Sequence, residues 1–171
     1  MARREPSPQG HHLTARGSSF TSLVLEVFRL NGRFIAAGNA LGRSLDLTSA
    51  RWQVLGAIAL EGRALTVAEI ARAMGLTRQG VQRVVDDLEQ AAMVTRNDHP
   101  THRRARLVDL TAQGRSRYAA IMRRQAGWAN QWAETMPSRE LEEMVRGLRK
   151  LREDLSDPRR TAGRSAQRRE K

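Results

Sequence analysis

With 171 residues, 40% of them hydrophobic, the chain has room for one domain of ordinary size with its own core. It contains no cysteine, which excludes disulfides, thiolate metal sites and cysteine-based redox sensing. The formal net charge is +12; residues 1–17 hold +2 of it and residues 157–171 hold +4, so +6 remains between them and favours a phosphate-bearing partner. Lysine occurs only at Lys150 and Lys171, so arginine supplies almost all of this charge; a GC-rich coding bias explains that as well as selection for guanidinium chemistry does. No stretch approaches the roughly 20 apolar residues of a membrane span, and the N-terminus lacks the apolar segment of a secretory signal, so a soluble, cytoplasmic protein is expected.

Residues 1–18 mix Pro, Gly, Ser, His and Arg without a period and read as a flexible arm. From Phe20 to about Leu45, apolar residues at Phe20, Leu23, Val24, Val27, Phe28, Phe34, Ile35 and Leu41 predict one long helix, loosened near Asn31 and Gly32. Its apolar face is wider than one short neighbour requires, which suggests a second subunit. Thr48 can cap the next helix, in which Trp52, Leu55, Ile58 and Ala59 face inward.

Thr66 with Glu69 matches a capping box, and Val67, Ile70, Ala71 and Met74 form one buried face. Gly75 supplies the turn, and Thr77 can cap a second helix with the stripe Val81, Val84, Val85 and Leu88. On its free face Arg78, Gln79, Gln82 and Arg83 fill the N-terminal half, while Asp86, Asp87 and Glu89 lie toward the other end. Only the first half suits a polyanion: the helix N-terminus attracts phosphate, and Arg and Gln side chains can reach base edges. Taken alone, the pair also fits an ordinary amphipathic helix hairpin with a solvated face.

Met93 to Arg96 and Ala105 to Leu110 read as two short strands around a polar turn that ends in Arg103 and Arg104. Thr111 is expected to cap a helix toward Thr135 that carries Tyr118, Ile121, Met122, Trp128 and Trp132. After Pro137, Ser138 is expected to cap a last helix with the stripe Leu141, Met144, Val145, Leu148, Leu151 and Leu155. That seam can pair with another copy or pack within its own chain. Residues 157–171 read as a disordered basic tail.

Three runs resemble the MarR family of bacterial winged helix-turn-helix transcription regulators. They are Leu47 to Leu55 (LTSARWQVL), Leu76 to Leu88 (LTRQGVQRVVDDL), and Arg103 to Thr111 (RRARLVDLT) followed by Gly114. The likeness covers about Phe20 to Leu155. It implies a mainly α fold with a small β-wing: a DNA-binding lobe over 46–111, and dimerisation helices over 19–45 and 112–156, within one domain over 19–156. It also implies a homodimer on double-stranded DNA, with Thr77, Arg78, Gln79, Gln82 and Arg83 at the major groove, Arg104 in the minor groove and Arg103 on phosphate. Three positions depart from the family pattern: His102 stands where an acid precedes the wing arginine, Gly80 where a hydroxyl residue is common, and Ala92 where a glycine often precedes the wing. Regulators of this kind commonly sense small aromatic or phenolic anions, for which Phe34 and Trp52 can stack and Arg51 can neutralise charge. Trp52 and Phe34 equally fit core positions.

His99 and His102 have a spacing compatible with zinc, but three or four converging ligands are needed and no metal or other cofactor is expected. Asp86 and Asp87 point about 100° apart and do not make an acid/base pair. With no nucleophile elbow, phosphate loop or dinucleotide fingerprint, an enzyme is not expected. The expected function is a sequence-specific, homodimeric transcriptional regulator on a pseudo-palindromic operator, released by a small aromatic effector. A sequence-tolerant architectural DNA-binding protein and a winged helix used purely for protein interaction are the alternatives.

Overall fold

The computed structural model describes residues 13–101 and 105–157. Thr14 opens the first helix, α1 (Ala15–Gly42): its Oγ1 accepts the Gly17 N–H at 3.0 Å. The expected arm over residues 1–18 is therefore helical in its last part, because a threonine cap lies ahead of the first apolar residue; residues 1–12 lie outside the described residues. Asn31 and Gly32 do not loosen the helix. Propagation adds one hydrogen bond for each residue ordered, which outweighs the modest cost of one internal glycine.

A 3-10 turn over Arg43–Leu45 and a left-handed Asp46 lead to α2 (Ser49–Glu61). Here the backbone folds tightly onto itself: Leu47 N–H donates to Gly42 O at 3.1 Å, and a Cβ on Gly42 would stand 2.1 Å from Leu47 O. Thr48 caps α2 through the Arg51 N–H, as expected, and Asn39 Oδ1 accepts the Ser49 N–H at 2.7 Å, which ties α2 to α1.

The next elements are β1 (Leu65–Thr66), α3 (Val67–Met74), α4 (Arg78–Gln90), β2 (Val94–Asp98) and β3 (Arg106–Leu110). The sheet is antiparallel in the order β1-β3-β2, with Leu65 opposite Val108 and Val94 opposite Leu110. The sequence pattern predicts only two of these strands, because a two-residue strand is too short to show a period. Val54, Leu55 and Ile58 of α2 meet Ile70 of α3, Val81, Val85 and Leu88 of α4, and Val108 of β3 in one core, all nearly inaccessible to solvent.

Met93, expected to begin β2, instead completes the end of α4. Ala92 N–H donates to Glu89 O at 2.9 Å and Met93 N–H to Leu88 O at 2.8 Å, the double bond pattern of a Schellman ending, with Met93 and Leu88 buried in the same core. This geometry places Ala92 at φ 53°, in the left-handed region. The family's frequent glycine at this position has its physical reason there.

The returning strand docks on the same joint. Thr111 N–H donates to Met93 O at 3.1 Å and Thr111 Oγ1 to Ala92 O at 2.7 Å, while that hydroxyl also accepts the Gly114 N–H at 3.0 Å and so caps α5 (Ala112–Ala133). A Cβ at Gly114 would lie 2.0 Å from Met93 O, so only glycine permits this approach.

The chain divides inside α5, after Met122, into two compact units. The second contains the rest of α5 and α6 (Ser138–Ser156). Pro137, rather than Ser138, takes the cap position: its fixed φ suits an extended entry, and its carbonyl accepts from Glu140 and Leu141 at 3.0 and 3.3 Å. On α6, Met144, Val145, Leu148 and Leu155 are exposed, and Leu141 and Leu151 are half-buried.

The capping box of α3 is complete, since Glu69 N–H donates to Thr66 Oγ1 at 3.2 Å and Thr66 N–H to Glu69 Oε2 at 2.8 Å. The backbone and hydroxyl donors of Thr66 lower the Glu69 pKa to about 2 from 4.5, with Arg63 assisting. A depressed carboxylate contributes stability that is present above its unfolded value and is lost as pH falls from 4.5 toward 2. Thr66→Ala will lower unfolding free energy by about 1 kcal/mol at neutral pH, and the gap to wild type will narrow across that acid window in denaturant titrations. Ala92→Gly will raise stability by roughly 0.5–1 kcal/mol in the same assay, by relieving the left-handed alanine.

Candidate nucleic-acid interface

Burial decides which face of α4 is available. Val81, Val85 and Leu88 are fully inaccessible, and with that register Arg78, Gln79, Gln82 and Arg83 all stand exposed on the outer side. Thr77 caps the helix through its Oγ1, which accepts the Gly80 N–H at 3.1 Å. The N–H groups of the first turn therefore point out of the helix with the positive end of its dipole, beside two arginines.

The acidic half of α4 is engaged by a cation that its helical spacing does not reveal. Arg96 of β2, with only 16% of its side chain exposed, donates Nη1 to Glu89 Oε2 at 2.8 Å and Nη2 to Asp86 Oδ1. The same Asp86 oxygen accepts Gln82 Nε2 at 2.8 Å. Hydrogen bonding from Arg96 first, and from Gln82 second, holds the Asp86 carboxyl below its ordinary range. Asp86 and Glu89 at i and i+3 on one helix face are the available signal in the sequence; the arginine that meets them comes from a strand, which a helical period cannot reveal.

An open cleft of about 600 Å³ runs between the start of α3 (Thr66 to Ala68), the outer face of α4 (Arg78, Gln79, Gln82) and the wing strands (Arg96, Arg106, Val108). It brings three of the expected DNA contacts together with Arg106, a wing arginine to which the sequence pattern assigns no role; Thr77 and Arg83 are not among its lining residues. Arg106 is two-thirds exposed and faces Asp98 only at 3.9 Å, so its charge is available to the cleft. Arg103 and Arg104, expected on phosphate and in the minor groove, lie with His102 outside the described residues.

The three residues expected to hold an aromatic anion have different surroundings. Trp52 packs against the core, whereas Phe34 on α1 is 52% exposed. Arg51 donates Nη1 to Asp46 O at 3.2 Å and approaches the carboxylates of Asp46 and Asp87 at 3.7 and 3.9 Å. Its guanidinium therefore fastens the start of α2 to α4, and an incoming anion would compete with two carboxylates for it.

His99 Nδ1 takes the Thr101 N–H at 3.2 Å, and among the described residues no group of three or more His, Asp or Glu side chains is placed to hold a metal ion. No described helix is long and apolar enough to cross a membrane.

Comparison with known proteins matches this arrangement. The MarR family model aligns with residues 45–105, the stretch from the end of α1 to the wing. A relative from Mycobacterium tuberculosis, described as an uncharacterized protein, is 36% identical over 129 residues, which cover 75% of this chain and 89% of that one. The chain belongs to the MarR family. Its fold is also that of a MarR-family transcriptional regulator from Rhodococcus sp. RHA1, with a TM-score of 0.69, 22% identity, and coverage of 77% of this chain and 92% of that one. It is likewise similar to BpsR of Bordetella bronchiseptica, with a TM-score of 0.61, 23% identity, and coverage of 74% and 98% respectively. That structure is described in terms of regulation of DNA binding by 6-hydroxynicotinic acid. The MarR family and its winged-helix fold thus agree with the mainly α architecture, six helices and a three-stranded sheet among the described residues.

Proposed function

We propose that the protein is a sequence-specific transcriptional regulator that binds double-stranded DNA as a homodimer. The observation that carries this reading is the exposed N-terminal face of α4, where Arg78, Gln79 and Gln82 line a cleft shared with the wing and Arg83 stands exposed beside them. A helix with cations and amides at its dipole-positive end, set on a rigid buried stripe, suits the major groove. Arg78 and Arg83 contact phosphate or guanine, Gln79 and Gln82 reach base edges, Thr77 orients the helix start, and Arg103 and Arg104 serve the neighbouring phosphate and minor groove.

The dimer is supported by apolar surface. In one copy of the chain Phe20, Leu23, Val27, Phe28, Phe34 and Ile35 of α1 each expose more than a third of their area, an extent of apolar helix face that folded monomers rarely present to water. A second copy covers it, and two-fold symmetry then places two α4 helices on successive turns of a pseudo-palindromic operator, roughly 34 Å apart.

A small aromatic anion as effector is the further part of this reading, supported by the aromatic acid named for BpsR and by the exposed Phe34 ring. Because Arg51 is already paired, ring stacking at Phe34 rather than charge neutralisation at Arg51 carries the contact.

Selection of bound genomic fragments, followed by titration against bulk DNA and then release with aromatic carboxylates, tests the whole scheme. A specific site withstands the competitor by about 10³-fold or more; binding that the competitor abolishes identifies a sequence-tolerant architectural protein instead. Arg78→Ala and Arg83→Ala will each lower affinity and reduce the log–log salt slope by about one. Phe28→Asp will halve the mass measured by light scattering and weaken operator binding by about 100-fold, since each half-site is then bound alone.

A further inference from the structure

We propose that Asp86, anchored by Arg96, is a positioning residue that sets the base preference of Gln82 and makes it an adenine reader. The inference rests on the DNA-binding reading above. Its basis is a chain of side-chain contacts from the wing to the exposed face of α4. Arg96 on β2 donates to Glu89 and Asp86, and Asp86 Oδ1 in turn accepts Gln82 Nε2 at 2.8 Å.

A Gln–Asp pair four residues apart on a helix surface is a weak contact by itself. Here the acceptor is not free to move. Arg96 is mostly buried, its fork spans two carboxylates one helical turn apart, and it comes from a strand paired along its whole length with β3. Asp86 is thus held in place before Gln82 reaches it.

The chemistry of that acceptor then fixes which way the Gln82 amide faces. With its carboxyl held below the ordinary range, Asp86 is ionised at neutral pH and can only accept hydrogen bonds. The amide nitrogen must therefore face Asp86, and the Gln82 oxygen must face away. One N–H is consumed by Asp86; what remains toward the cleft is one acceptor, Oε1, beside one donor, the second N–H.

That edge complements adenine. In the major groove adenine presents a donor at N6 and an acceptor at N7, which pair with Oε1 and the second N–H respectively. Guanine presents acceptors at both N7 and O6, so its O6 would stand against Oε1. A glutamine without this tether can flip its amide and donate to guanine instead; the tether removes that option. The wing strand thereby contributes to base choice in the major groove without touching DNA there.

Selection from randomised duplexes with the full chain tests this, using wild type, Gln82→Ala, Asp86→Ala, Asp86→Asn and the Gln82→Ala/Asp86→Ala double variant. Wild type is expected to favour adenine about tenfold at one position of each half-site. Gln82→Ala and Asp86→Ala flatten that position and leave the others unchanged, and the double variant is no flatter than either. Asp86→Asn restores the preference, because its carbonyl oxygen faces Arg96 and still accepts from Gln82. Arg96→Lys, which keeps the charge and loses the fork, lowers the preference while affinity for bulk DNA stays within about twofold. Thermal melts confirm that each variant is folded. An Asp86→Ala protein that keeps its adenine preference, or that loses affinity equally for all four bases, overturns the proposal. So does a wild-type preference for another base at the position that Gln82→Ala flattens. Failure of wild type to bind any duplex at low salt defeats the DNA-binding reading itself, a result distinct from these.

Discussion

The fold depends first on the burial of one stripe of α4. Val81, Val85 and Leu88 have no accessible surface, and they fill the space between α2, α3 and the sheet. Burying three such side chains contributes on the order of 5–9 kcal/mol against exposing them, more than any contact on the outer face of the helix. Rotating α4 by even one residue would turn charge into this core. The side chains that face outward are therefore fixed by side chains that face inward, and a reading head is kept rigid without any residue of its own serving that purpose.

Around that stripe, three arginines have structural roles that the abundance of arginine in the sequence obscures. Arg51 joins α2 to α4, Arg63 supports the α3 capping box through Glu69, and Arg96 joins the wing to α4. Each meets carboxylates, so part of the chain's basic excess is cancelled locally. The positive charge left over on this lobe is concentrated at Arg78, Arg83 and the wing arginines, which sharpens the field near the cleft.

Much of this is legible in the order of the residues alone. The caps at Thr48, Thr66, Thr77 and Thr111 follow from local chemistry, and all four accept the hydrogen bonds that a cap requires. The outward set on α4 follows from a 3.6-residue period, and it stands exposed as that period requires. What escapes is non-local. The third strand is two residues long and exists only because Leu65 and Thr66 meet β3. Arg96 finds Asp86 and Glu89 across a helix-to-strand turn, and Arg51 finds Asp87 across two helices. Long-range partners of this kind depend on tertiary approach, and no spacing in one dimension records them. The start of α1 and the cap of α6 escape for a more local reason, since Thr14 lies in a stretch of otherwise aperiodic composition and Pro137 takes the position that the serine beside it would fill.

The joint at Ala92 and Met93 has a consequence for how such a protein can change. Both ends of the excursion through the wing are fastened there, one by the Schellman bonds of α4 and the other by Thr111 and Gly114. Whatever lies between β2 and β3 is a loop closed at its base. Doubling the length of such a loop costs only about 0.6 kcal/mol in closure entropy, and none of that cost reaches α4. The tip can lengthen or shorten while the helix keeps its register. Minor-groove reach and major-groove vocabulary can thus drift independently, which lets one scaffold acquire new operators through changes at one site at a time.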